Sequence, residues 1–143
     1  MSKGNTFEND LLKLLFNGVA IANLADNAAV GPLTELFVAL HTADPGEAGN
    51  QATSEIAYTG YVRMAVDRDG TGWVVTANSV SPFANIEFPE MTGGAGGTAT
   101  HASIGTDLAG AGKILYSGVL TPNIICALGV TPRILTTSTI TED

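Results

Sequence analysis

Leu36-Phe37-Val38-Ala39-Leu40-His41-Thr42-Ala43-Asp44-Pro45-Gly46-Glu47-Ala48-Gly49 decides the architecture. Five apolar residues run straight into an Asp-Pro-Gly turn, so residues 36–41 read as a strand and residues 42–60 as a polar loop. From there on the pattern is short strands broken by turns every 8 to 15 residues or so, the spacing of a sandwich or barrel. Strands are expected near 61–67, 72–77, 84–88, 98–104 and 113–120, with one or two more across 124–140. Residues 67–72, Asp-Arg-Asp-Gly-Thr-Gly, lie between two of these and supply the glycines that a hairpin turn needs. Met91-Thr92-Gly93-Gly94-Ala95-Gly96-Gly97 reads as a second, flexible loop.

Upstream the period changes. Asn5 followed by Glu8 makes a capping-box-like start, and Phe7, Leu11, Leu14 or Leu15, Gly18, Ile21 or Ala22 and Ala25 then recur at helical spacing. A helix over 6–26 follows. Leu12, Phe16 and Val19 add a second apolar stripe, so the helix is too hydrophobic to leave one face in water and is expected to pack under a loop or against another subunit. Helices do not alternate with strands, which argues against a parallel βαβ sheet. The expected fold is mainly β: one domain over 1–143, an antiparallel β-sandwich of jelly-roll type with an N-terminal helix.

The composition excludes several functions. With 14 carboxylates against 6 Lys and Arg, the formal charge is −8, which repels a phosphate backbone, so no nucleic-acid partner is expected. Residues 11–25 are interrupted by Lys13, Asn17 and Asn23 and fall short of the roughly 20 apolar residues of a bilayer span, so no membrane partner is expected either. The N-terminus lacks the progression of a secretory signal, which points to synthesis in the cytoplasm. Cys126 stands alone among apolar neighbours and reads as a small buried hydrophobe.

Candidate chemistry fails on spacing. Gly110-Ala111-Gly112-Lys113 has Asp107 where a phosphate loop needs glycine and Ile114 where it needs Ser or Thr. Asp67-x-Asp69-Gly70 begins like a calcium loop but lacks the closing Glu, because a strand resumes at Trp73. His41 and His101 are far apart in sequence, and neither has the second histidine of a metal pair, so each is expected to be a hydrogen-bonded histidine at a strand end or subunit contact. No Gly-x-Ser-x-Gly elbow is present. One Trp and three Tyr give little for a sugar-stacking platform, and Trp73, Phe83, Phe88 and Tyr116 are expected to fill the core or an interface. Catalytic, cofactor and metal residues are therefore expected to be none.

Leu40-His41-Thr42-Ala43-Asp44-Pro45-Gly46 followed by Tyr61-x-Arg63 resembles the opening of a family of small structural proteins of tailed bacteriophages, described as head-decoration or tail-fibre-like. The resemblance continues through Asn78-Ser79-Val80-Ser81-Pro82, Ile86-Glu87-Phe88-Pro89, Thr100-His101-Ala102-Ser103-Ile104-Gly105 and Leu115-Tyr116-Ser117-Gly118. It implies a non-enzymatic virion protein without a cofactor. The first expectation is a capsid decoration, or cement, protein on the outer capsid surface. It would bind the major capsid protein lattice, stabilise the shell and assemble as a homodimer or homotrimer. The alternative is a tail component, although neither repeats nor a coiled-coil stem is present. Interface candidates are Phe7, Leu12, Phe16 and Val19 on the helix, Asp44, Pro45 and Gly46 in the first loop, and Gly93, Gly94, Gly96 and Gly97 in the second.

Overall fold

The computed structural model of the chain describes residues 5–21 and 33–142. In chain order its elements are α1 (Asn5–Asn17), β1 (Glu35–His41), β2 (Met64–Asp67), β3 (Trp73–Thr76), β4 (Ser79–Pro82), β5 (Ile86–Glu87), β6 (Gly97–Gly105), β7 (Ile114–Cys126), β8 (Arg133–Ile134) and β9 (Ile140–Thr141). The fold is mainly antiparallel β with one short N-terminal helix, and the described strands form sheets of four, three and two strands. Two compact units interleave along the chain. Met1–Glu35, Val66–Asn85 and Leu135–Asp143 form the first, and Leu36–Ala65 with Ile86–Ile134 forms the second.

In the first unit α1 stops at Asn17 rather than running on to residue 26, because Gly18 takes φ 64°, a left-handed conformation that ends a helix. The expected turns beyond residue 21 lie outside the described residues. Arg68 closes the helix end: its Nε and Nη2 donate to the carbonyls of Leu15 and Leu14 in the last turn, where carbonyls outnumber the amides that can reach them. A cation at a helix C-terminus is also favoured by the peptide dipoles. Leu12 and Phe16 are 0% exposed, and the Phe16 ring meets Trp73 edge-on at 4.9 Å.

Strands β3, β4 and β9 form a sheet in that order, joined by a two-residue turn between Thr76 and Ser79. This hairpin was not expected, because Ala77-Asn78 lacks glycine and Ala77 itself adopts φ 53°. The hairpin expected over residues 67–72 is not one, since β2 neighbours β1 and β3 neighbours β4. Neither Gly70 nor Gly72 has a positive φ. Gly72 is needed for another reason: a Cβ there would lie 2.0 Å from the Asp67 carbonyl oxygen. Asp69 closes this turn by accepting from the Thr71 amide and hydroxyl at 2.7 and 2.6 Å.

The second unit is built on the sheet β2-β1-β6-β7, to which β2 contributes its first residues. Strand β1 lies inside the sheet and is buried along most of its length, which is why it reads as an unbroken apolar run. It pairs antiparallel with β6, placing Val38 opposite Ile104, Leu40 opposite Ala102 and His41 opposite His101. β6 pairs in turn with β7. β5 and β8 pair through Ile86 with Ile134 and Glu87 with Arg133, and the ladder continues from Phe88 to Pro132 and from Met91 to Val130. Phe88, Met91, Ile56 and Tyr58 are buried in this unit.

Candidate interaction surface

A buried polar network fixes the loops of the second unit. Tyr61 accepts from the Leu40 amide at 3.0 Å and donates its hydroxyl hydrogen to Glu55 Oε1 at 3.0 Å, and burial pushes its pKa up, so it stays protonated. Glu55 takes Arg63 through both oxygens, and the guanidinium also donates to the carbonyls of Asp107 at 2.8 Å and Gly110 at 2.7 Å. The Tyr61-x-Arg63 pattern therefore serves a structural end: alternate residues project to one side and tie β1 to the turns around residues 55 and 107–110. Gln51 adds a second tie, donating from Nε2 to the Phe37 carbonyl and accepting the Asp107 amide at Oε1. Gly105 and Gly112 give it room, because a Cβ on either would come within 2.2 or 2.3 Å of the Gln51 side-chain amide.

Among the described residues, His41 and Ser103 form a pairing with the look of catalysis. Nδ1 lies 2.8 Å from the Thr53 carbonyl oxygen, which can only accept, so Nδ1 carries the proton and Nε2 accepts from the Ser103 hydroxyl at 2.7 Å. Burial lowers the pKa of His41 and outweighs the hydrogen bond to the Thr53 carbonyl and the charge of Glu55, which both raise it, consistent with a neutral ring. Both side chains are buried, 0% and 1% exposed, so no substrate reaches them. The pair is a core hydrogen bond. Cys126 is also buried, and burial pushes its thiol pKa up, away from the reactive thiolate. Among the described residues no cluster of three or more His, Cys, Asp or Glu is placed to hold a metal. Nor is any described helix long and apolar enough to cross a membrane.

The fixed loops flank the two ends of β7. At one end Gly46, Glu47 and Gly49 share a groove of about 360 Å³ with Lys113, Ile114, Leu115 and Ser117. At the other end Gly97 pairs with Cys126, and Gly96 packs so closely that a Cβ would lie 2.2 Å from the Cys126 carbonyl oxygen. Among the described strands β7 pairs only with β6, and its residues from Ser117 to Val119 and from Thr121 to Asn123 are exposed. Beyond it the turn Ala127-Leu128-Gly129-Val130, closed by Val130 N–H to the Ala127 carbonyl at 2.9 Å, holds Leu128 73% exposed.

β7 is thus a long strand without charged side chains, flanked by two pinned loops. The family model described as Gp80: Podophage GP4 fiber I protein gp80 matches residues 2–140. The chain belongs to this family. It is a structural protein of a tailed-phage particle. No curated protein matches it.

In this Gp80-family chain the sequence-derived interface candidates separate into three groups. Leu12 and Phe16 are enclosed within their own unit and form its core, whereas Val19 is half-exposed and the Phe7 side chain lies outside the described residues. Asp44 and Gly46 are exposed, but Pro45 is buried and the turn is braced by the Gly46 amide donating to Asp44 Oδ1 at 2.9 Å. Gly93, Gly94, Gly96 and Gly97 are not a slack linker. Gly93 accepts the Thr59 amide at 2.8 Å, and Gly94, Gly96 and Gly97 have positive φ values suited to glycine. Phe83, expected to fill the core or an interface, is 59% exposed. The sequence reading passed over β7 as an ordinary strand. The signal was present: residues 114–132 hold no charged side chain in a chain of net −8.

Proposed function

We propose that the chain is a non-enzymatic structural component of a phage tail fibre. The observation that carries this reading is the match to a fibre protein family over residues 2–140. The expectation of a capsid decoration protein bound to the major capsid protein ranks behind it, because the family description names a fibre and not a head protein. Three features support a scaffold over an enzyme: His41 and Ser103 are sealed in the core, Tyr61, Glu55 and Arg63 are spent on positioning loops, and Cys126 is buried. The net charge of −8 speaks against nucleic acid as a partner, which leaves other virion proteins and further copies of the chain.

Gold-labelled antibody against the chain, viewed on intact particles by electron microscopy, tests the location. Label confined to tail fibres is the expected result. Label spread over the head surface would overturn the fibre reading and restore the decoration one.

A further inference from the structure

Resting on the fibre-component reading, we propose that two copies of the chain associate through one end of the second unit, by a patch of Ile125, Leu128 and Gly129 that meets the same patch of the other copy about a two-fold axis. Side chains and the tip of a turn make this contact, and the edge of β7 takes no part in it. Two stretches without Asp, Glu, Lys or Arg, residues 91–106 and 114–132, come together here. Gly97 pairs with Cys126 and Thr98 with Ile125 across β6 and β7. The Met91 amide donates to the Val130 carbonyl and the Met91 carbonyl accepts from the Gly129 amide, each at 3.0 Å. Stretches far apart in sequence thus build one uncharged surface in a chain of net −8.

That surface is apolar and fixed in place. Ile125 is 66% and Leu128 73% exposed, with Val130 37% exposed beside them. The turn that carries Leu128 is closed by the bond from the Val130 amide to the Ala127 carbonyl and tied to the neighbouring strand at Met91. It has no slack with which to fold its leucine out of water. A partner therefore finds the side chain already in position, and little ordering entropy opposes binding. Apolar residues held exposed where charged ones are missing have the make-up of an interface core.

Charge and shape select a second copy as the occupant. A basic partner would be drawn to the carboxylates carried elsewhere, 14 against 6 Lys and Arg, and not to this end. A partner steered to the uncharged end is one that shares the acidity of the chain, and another copy, also at −8, is repelled wherever the acidic surfaces meet. On the turn itself, the projecting Leu128 stands next to Gly129, where a Cβ would meet no atom within 4 Å. About a two-fold axis at the turn, Leu128 of each copy lies over Gly129 of the other, which is the self-complementarity an isologous contact requires. Glu90, exposed and next to Met91, stands at the rim in both copies and limits the strength of the contact.

The test is the mass of the full chain in solution, by light scattering across a concentration series. A dimer is expected. Leu128→Lys should weaken it at least tenfold, whereas Leu108→Lys, 54% exposed in the same unit but beside Asp107, should leave it intact. Because both leucines are exposed, neither lysine disturbs folding, and circular dichroism verifies that. Leu128→Cys should give a disulfide-linked dimer on mild oxidation and Leu108→Cys should not, with the native Cys126 buried in both. Added salt should tighten association by screening Glu90 and the other like charges, and a dimer that salt loosens would overturn the uncharged contact. A monomer at the highest soluble concentration, a trimer, equal cross-linking of the two cysteine variants, or a Leu128→Lys protein that dimerises like the parent would overturn it as well. None of these outcomes bears on the antibody labelling, so the two readings fail separately.

Discussion

Arg63 holds Glu55 through two parallel hydrogen bonds, Nε to Oε1 and Nη2 to Oε2, each 2.8 Å long. The Arg63 side chain is 2% exposed and that of Glu55 19%, so the ion pair sits largely out of water and depends on the additional bonds to Tyr61, Asp107 and Gly110. Such a pair adds little over apolar side chains of the same shape, but removing one member strands the other.

Arg63→Met should therefore destabilise the protein by about 3 kcal/mol, since it leaves Glu55 without its cation and the carbonyls of Asp107 and Gly110 without this donor. The double variant Arg63→Met with Glu55→Leu should lose less than the sum of the single changes. Urea unfolding of the four proteins measures the coupling, and strict additivity would show that the pair does not act as a unit.

Stability should fall as pH drops. The folded-state pKa of His41 is lowered by burial, so the unfolded chain binds that proton more readily. Its contribution is complete above the unfolded value of about 6.5 and is lost as pH falls from there through the lowered folded value. His41→Gln should cost about 1–3 kcal/mol at neutral pH by disturbing the bonds to Thr53 and Ser103. It should also flatten the stability profile below pH 6.5 or so. An unchanged profile, read from thermal unfolding at a series of pH values, would assign the acid sensitivity to other groups.

Ala77→Gly should stabilise the first unit. An alanine at φ 53° opens the β3–β4 turn, and a left-handed non-glycine residue costs about 1–2 kcal/mol. Glycine relieves that strain but loses about 0.4–1 kcal/mol through the freer unfolded chain. A net gain of roughly 0.5–1 kcal/mol is expected in denaturant unfolding.

Two glycines from the proposed contact loops should respond differently to alanine. Gly96→Ala forces a Cβ to within 2.2 Å of the Cys126 carbonyl at a φ of 65°, so the end of β7 must shift and a loss of more than about 2 kcal/mol is expected. Gly46→Ala meets no atom within 4 Å and carries only the backbone cost at φ 70°, about 1–2 kcal/mol. Equal losses would mean that the Gly96 loop yields freely.

The sequence alone determined what acts over a few residues. The apolar run at 36–41, the Asp-Pro-Gly turn and the helix start near Asn5 all answer to local periodicity and turn chemistry, and β1, β3 and β6 lie within a residue or two of their expected places. The resemblance carried by Tyr61-x-Arg63 and its companion words identified a phage structural protein for the same reason, since such words are contiguous. Where a local signal was absent, local reading went astray. Ala77-Asn78 turns the chain without a glycine, Gly18 ends a helix whose apolar pattern runs on, and Asp67-x-Asp69-Gly70 has hairpin residues without a hairpin.

Everything that joins distant residues was left to the tertiary structure. A jelly roll is a statement about how sheets are stacked and connected, which strand spacing does not contain. His41 and His101, unrelated in sequence, become cross-strand neighbours because β1 pairs with β6 in one register. Leu12 and Phe16 read as a second apolar stripe whose cover is unnamed until Trp73 is placed against Phe16. Among the described strands β7 has β6 as its neighbour, which only the return of the chain decides. Burial and strand order depend on where the chain returns, and no window of neighbouring residues records that.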